Sequence, residues 1–245
     1  MVRNVDYESR KKSILAVTIN RYIQNASAVA SEDIAKEFGL SSATIRNIFA
    51  EMEEAGYLTH PYTSGGRIPT NKGYRYYVDF LVSEMQLLDA EKESIINGYK
   101  RAINRLEDAL EETSEVISAI THYTSIVSLL DWQDKFFYRG VSFILEQPEF
   151  QDSTRVKLLI KMLEEKRNLL NIINQEFNDK TKIYIGEELG CQEMNNYSLV
   201  VARYNLKDKP CGSIAVLGPM RMEYRHIVPA LEYVSEVLSE VLNRI

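Results

Sequence analysis

The chain has 245 residues, 45% of them hydrophobic and 26% charged, a composition that excludes disordered and fibrous classes and leaves room for two modest globular domains. A formal net charge of −6 excludes bulk affinity for nucleic acid, although a local basic surface remains open. Cys191 and Cys211 are too few and too far apart for a disulfide framework or a paired-cysteine metal site. With no apolar leader and no membrane-length apolar run, the expectation is a cytoplasmic protein with reduced thiols.

A first helix is predicted near Glu8 to Gln24, with Leu15, Ile19 and Tyr22 on one face. Ser31 is placed to cap a second helix whose first turn carries Glu32 and Asp33, where acids complement the helix dipole. Gly39 suits the left-handed residue that ends it. Ser41 and Ser42 can each cap a third helix, which buries Ile45, Ile48, Phe49, Met52 and Ala55. Its opposite face carries Ala43, Arg46, Asn47 and Ala50, while Glu51, Glu53 and Glu54 all lie in its C-terminal half. Alanines allow close approach to a duplex, and arginine and asparagine have the fork and amide geometry that reads guanine and adenine edges.

Taken alone, this helix fits a surface helix with an ordinary core stripe equally well. The residues after it decide between the two. Gly56 ends the helix, Tyr57 to Thr59 is a short strand, and Tyr62 to Arg67 is a glycine-bearing turn with Arg67 at its tip. Ile68 returns, and a fourth helix starts near Asn71. This order is that of a winged helix-turn-helix. Arg46 and Asn47 are expected to read bases, with Ser42 and Thr44 holding the DNA backbone. Arg67 is expected along the backbone or in the minor groove, and Lys72 and Arg75 on phosphate. Between Ser41 and Tyr77 four basic residues face three acids, so binding depends on placement more than on total charge. The tyrosines at Tyr74 and Tyr77 have helical spacing and are expected to pack inward.

From Asp89 to Val127 one row through Tyr99, Ala102, Leu106, Ala109, Thr113, Val116, Ile120, Tyr123 and Val127, in alternating steps of three and four, and a seven-spaced row through Ile96, Ile103, Leu110 and Ile117 predict one long helix. Its apolar face must be covered by the C-terminal domain or by another subunit. An aromatic stretch from Asp131 to Val141 fits a strand or the start of a short helix. Ser153 to Phe177 is expected to be helical, followed by strands at Lys182 to Ile185, Ser198 to Tyr204 and Gly212 to Leu217. The last two flank a polar turn at Lys207 to Pro210 and form a hairpin. A closing helix runs from about Ile227 to Leu242. The fold class is therefore α+β: a winged domain over 1–82, a long connecting helix over 83–128 and a small α+β domain over 129–245.

The sequence ATIRN at Ala43 to Asn47 and TSGGRIPTNKGYRYYVDF at Thr63 to Phe80 resembles the signature of the HrcA family of heat-inducible transcription repressors. A second block, LEQPEF at Leu145 to Phe150 and VLGPMRMEY at Val216 to Tyr224, resembles the same family in the same order. The resemblance implies a repressor of chaperone operons that binds an inverted-repeat operator in double-stranded DNA. It also implies support from the GroEL-type chaperonin and a GAF-like C-terminal domain. HrcA proteins are usually longer, with a dimerisation domain inserted in the GAF-like region. Here Thr121 to Val127 resembles the segment before that insertion and Phe136 to Phe150 a segment after it, so the C-terminal domain is reduced. A homodimer is still expected, since two winged domains match two half-sites. Its candidate surfaces are Ile96, Ile103, Leu106, Leu110 and Ile117 on the long helix, then Leu231, Leu238 and Val241 on the last.

No nucleophile–base pair, phosphate loop or metal-ligand spacing appears, and His60, His122 and His226 are scattered. His60, beside the wing, is within reach of phosphate but is expected as solvated surface. The chain is expected to be a non-enzyme without cofactor or metal. The alternative function is a metabolite-sensing regulator whose C-terminal domain holds a small ligand, a reading that rests on fold analogy.

Overall fold

The computed structural model describes residues 2–61, 65–81, 86–99, 105–131, 136–150, 152–164, 166–207 and 209–244. The chain divides into two compact units, residues 1–84 and 85–245. Among the described residues no helix is long and apolar enough to cross a membrane.

The first unit is built on α1 (Val2–Asn25), α2 (Ser31–Phe38), α3 (Ser42–Glu54) and α4 (Asn71–Leu81). Gly39 stops α2 in the left-handed conformation, at φ 62°, as its missing Cβ permits. The two-residue strands β1 (Leu58–Thr59) and β2 (Ile68–Pro69) pair antiparallel, Leu58 with Pro69 and Thr59 with Ile68. A bridge between Val29 and Arg67 extends this ribbon towards the α1–α2 connection. Of the apolar stripes predicted for the helices, Leu15, Ile19, Ile45, Ile48, Phe49 and Met52 are buried and Tyr22 is half-buried, and Ile34 of α2 joins them in the core. Tyr74 and Tyr77 pack inward as expected, and the Tyr77 hydroxyl donates to Asn20 Oδ1 at 2.8 Å. Ala55 is the exposed C-cap of α3 and lies outside its buried stripe.

The second unit corrects the long helix. Its described parts are α5 (Asp89–Gly98) and α6 (Leu106–Thr121), while Ala102 and Ile103 fall outside the described residues. His122 ends α6 in the left-handed region at φ 56°, and Thr124–Leu129 is a strand, β3, rather than further helix. The helical spacing of Tyr123 and Val127 was coincidental. Thr124, Ile126 and Val127 are β-branched, and β3 finds partners on both sides, which favours a buried strand. The helices α5 and α6 approach closely: a Cβ on Gly98 would come within 2.4 Å of Val116, and Tyr99 and Thr113 share a hydroxyl contact of 2.6 Å.

The remaining strands are β4 (Phe136–Arg139), β5 (Thr181–Ile185), β6 (Tyr197–Leu206) and β7 (Lys209–Pro219). Together with β3 they form an antiparallel sheet of order β4-β3-β7-β6-β5. The expected hairpin is β6–β7. The aromatic stretch supplies both of its options, with β4 followed by α7 (Val141–Leu145). The helical segment after Ser153 is α8 (Ser153–Glu164) and α9 (Lys166–Ile173), ending before Phe177.

One face of the sheet, with Ile126, Leu199, Val201, Ala215 and Leu217, packs on α7, α8 and α9 through Ile144, Leu159 and Leu169. The other face is covered by α6 and by α10 (Tyr224–Leu242). Leu110, Leu231 and Leu238 are completely buried there, and Ile117 almost so. These side chains, expected as candidate dimer surfaces, are core of their own unit. Leu106 and Val241 are half-buried, and Ile96 is exposed.

Candidate nucleic-acid interface

The interface is built on α3. Ser41, rather than Ser42, is its N-cap: the Ser41 hydroxyl accepts from Thr44 N at 3.0 Å and lies 2.8 Å from Thr44 Oγ1. This fixes the first turn and one rotamer of Thr44. Burial of Ile45, Ile48, Phe49 and Met52 then leaves Ala43, Thr44, Arg46, Asn47 and Ala50 exposed on the far side. The Arg46 side chain is 66% exposed, and the carboxylate of Glu32 lies 3.9 Å from its guanidinium. So weak and exposed a contact leaves the fork available for another acceptor. Ser42 is half-buried at the start of the helix.

The C-terminal half of α3 is occupied differently. Glu51 faces α1, accepting from Lys11 Nζ at 2.7 Å and from the Tyr7 hydroxyl at 2.9 Å. The Lys11 hydrogen bond, then that of Tyr7, holds the Glu51 carboxyl below the usual range. Glu53 lies 3.0 Å from Arg67 Nη2 and also pairs with His60 Nδ1. Lys72 Nζ donates to Ala55 O at 2.8 Å and sits 4.6 Å from the centre of the Tyr57 ring. A cation on the last carbonyls complements the negative end of the helix.

The joint after α3 explains much of the sequence block around it. Thr70 Oγ1 donates to Gly56 O at 2.6 Å and accepts from Gly73 N at 3.1 Å, tying the start of α4 to the end of α3. A Cβ on Gly73 would stand 2.2 Å from Tyr57 O, so this crossing admits only glycine. Gly66 is equally constrained, since a Cβ there would meet Val29 O at 2.5 Å.

The seven expected DNA-contact residues therefore separate. Thr44, Arg46 and Asn47 share one exposed face of α3, with Ser42 at its edge. Arg67 is not at a free tip. Its backbone exchanges two hydrogen bonds of 2.9 Å with Val29, and its side chain is directed to Glu53. The tip positions 62–64 fall outside the described residues. Lys72 is exposed but rests on the end of α3, and Arg75 lies 3.5 Å from Asp79. His60, expected as solvated surface, is engaged with Glu53. The parts played by Glu51, Lys11 and Tyr7 carried no sequence signal, because partners 40 and 44 residues apart leave no periodic trace.

Two family models match the chain. One, the winged helix-turn-helix transcription repressor, HrcA DNA-binding, covers residues 7–79. The other, the HrcA protein C terminal domain, covers residues 128–228. The heat-inducible transcription repressor HrcA of Desulforamulus reducens is 30% identical over 339 positions, which span 97% of this chain and 98% of the relative. The chain belongs to the HrcA family. It is a heat-inducible transcription repressor with a winged-helix DNA-binding domain. The HrcA protein of Carboxydothermus hydrogenoformans is 29% identical over 336 positions, 96% of this chain and 98% of its own length. An alignment of 339 positions against 245 residues must leave parts of the relative without a counterpart here. A crystal structure of a hypothetical protein shares the fold, with a TM-score of 0.80 at 18% identity, covering 96% of this chain and 98% of that one.

In this HrcA-family repressor the second signature block does not face outward. Arg221, with 10% of its side chain exposed, donates to both carboxylate oxygens of Glu149 at 2.5 and 3.2 Å, and to Gln147 Oε1 at 2.7 Å. The Tyr224 hydroxyl lies 2.7 Å from Ser198 Oγ and from Met220 O. The two halves of the block, some seventy residues apart, thus clasp each other.

Proposed function

We propose that the repressor reads an inverted-repeat operator in double-stranded DNA with the N-terminal half of α3. Arg46 and Asn47 contact base edges, while Ser42 and Thr44 hold the DNA backbone. The observation that carries this reading is the division of α3. Its small, neutral and basic residues are exposed at one end, and Glu51 and Glu53 are neutralised by Lys11 and Arg67 at the other. Lys72 and Arg75 serve as phosphate contacts that position the domain without specifying sequence. Arg67 differs from them, because its guanidinium is already committed to Glu53.

The operator lies before chaperone genes, the GroEL-type chaperonin supports the active form, and the repressor works in the cytoplasm without catalytic activity. A homodimer places one winged domain on each half-site. Since Leu110, Ile117, Leu231 and Leu238 are core, the dimer surface lies elsewhere, among exposed apolar residues such as Ile96 and Tyr138. Footprinting on the organism's own chaperone promoters at two salt concentrations tests the reading. Paired, evenly spaced protection that persists at the higher salt is expected. Protection that tracks only total DNA would remove it.

A second reading, a GAF-like unit that senses a small anion, draws on one observation. Arg203 Nε and Ser213 Oγ are buried without a hydrogen-bond partner, and the two residues pair across β6 and β7 on one face of the sheet. Arg203 Nη2 already donates to Gln175 O at 2.8 Å, which leaves Nε and the Ser213 hydroxyl to be satisfied. A melting-temperature rise with small carboxylates, lost in Ser213→Ala, would favour this reading; no rise for either protein would dismiss it.

A further inference from the structure

Glu53 lies in the last turn of α3, where segments from both sides of the wing meet on its carboxylate. Oε2 is 3.0 Å from Arg67 Nη2, at the start of the return strand, and Oε1 pairs with His60 Nδ1, just past β1. Arg67 is the more constrained of the two partners. Its side chain is only 24% exposed, and its backbone is locked to Val29.

The ribbon these residues flank is very short. The strands β1 and β2 contribute two residues each. So little backbone pairing cannot set the angle of a ribbon against a helix, because an isolated two-stranded hairpin is itself marginal in water. Beyond the Val29–Arg67 bridge the angle depends on side chains, and Glu53 reaches the residues that flank both strands. An ion pair to Arg67 and an imidazole hydrogen bond from His60 hold this carboxylate by charge as well as by contact. Residues beyond β2 hold the same joint, through Lys72 on Ala55 O and Thr70 on Gly56 O.

We propose that Glu53 is a positioning residue for operator recognition: it fastens both strands of the wing to the recognition helix through Arg67 and His60, and Arg67 serves this fastening instead of a DNA phosphate. The proposal rests on α3 being the element that reads the operator. It also gives the acid a use in a DNA-binding domain, where an unpaired carboxylate near phosphate would oppose binding.

The test measures operator and random-sequence DNA binding by the full chain across a salt series, with circular dichroism melting of every variant. Glu53→Gln keeps the shape and an oxygen acceptor but removes the charge. It is expected to melt close to the parent and to lose operator affinity about tenfold, with random-DNA affinity little changed. Arg67→Ala is expected to show a similar loss with an unchanged salt slope, and the double variant to be no worse than either single one, as for a coupled pair. Arg67→Lys, which can still reach the carboxylate, is expected to recover most of the loss. A salt slope flattened by about one unit in Arg67→Ala would make Arg67 a phosphate contact and overturn the proposal. Losses that multiply in the double variant would overturn it as well. If Arg67→Ala fails to fold, Glu53→Gln decides alone: unchanged or stronger operator binding by that variant means that Arg67, once freed, serves DNA, and the proposal falls. Arg46→Ala in the same titrations is the control for the operator reading. Full retention of discrimination there removes α3 as the reader, whatever the Glu53 variants do.

Discussion

The two units carry their family signatures in opposite directions. In the winged unit part of the signature stays outside, with Arg46 66% exposed and Asn47 beside it. In the second unit the corresponding block turns inward, and Arg221 is closed onto Glu149 and Gln147 with a tenth of its side chain exposed. Both arginines are charged residues in signature segments. The exposed one is free to be read by a partner, whereas the buried one is held by its own chain. Removing the first should therefore change binding, and removing the second should change folding. Family membership does not distinguish these roles, but burial and pairing do.

The strongest attempt to break this contrast is Leu110→Glu. Leu110 is wholly buried on α6, so a carboxylate there has neither water nor partner. A cost of about 4 kcal/mol or more is expected, enough to unfold the second unit and lower the helical circular dichroism signal. A folded variant that sediments as a monomer and only loses operator binding would instead make α6 a subunit seam. Next in size is Arg221→Ala, which strands Glu149 beside the core. About 3 kcal/mol is expected, at the low end for a broken buried pair because a quarter of the Glu149 side chain is exposed. Chemical denaturation should show a lower midpoint with an unchanged slope.

Arg46→Ala should do the reverse. Roughly 1–3 kcal/mol of operator binding should be lost, with preference relaxed at its own base pair and melting unmoved. A melting shift as large as that of Arg221→Ala would abolish the distinction between the units. The smallest effect concerns acid. Glu51 is held below its ordinary range by Lys11 and then Tyr7, so its contribution to stability is present above the unfolded carboxylate value. That contribution is lost as pH falls through the lower folded value. Glu51→Gln should flatten the acid limb of the stability curve and leave its neutral-to-basic part nearly parallel to the parent. Parallel acid limbs in the two proteins would show that Glu51 contributes nothing to acid stability.

How far the sequence carried the reading depends on the range of each interaction. The helix-turn-helix was legible because its signals are local: a capping serine at Ser41, a glycine stop and a stripe with helical spacing. Ser31, expected as a cap, is instead the first residue of α2, and Ala30 stands at its N-cap without a side-chain bond. The β6–β7 hairpin was legible from two β-rich runs around a polar turn. The long helix failed because the same apolar spacing can continue by chance into a strand. At Thr124 the choice was made by neighbours in the sheet, β4 and β7, that periodicity does not register. The expected dimer surfaces failed for a related reason: an apolar stripe says that something covers it, without saying whether the cover is the same chain.

By itself the sequence determined which face of α3 is apolar, which end carries its acids, and where its chain must turn on glycine. Those properties derive from the 3.6-residue period and from single-residue conformational preference. Only the tertiary structure decided which cations remain available. Lys11 meets Glu51 across 40 residues of sequence, and Arg221 meets Glu149 across 72. Arg67 looked like the tip of a wing until the fold brought Glu53 within 3.0 Å of it. Charge is a property of the residue, but its use depends on the nearest opposite charge, and that neighbour is set by how the whole chain packs.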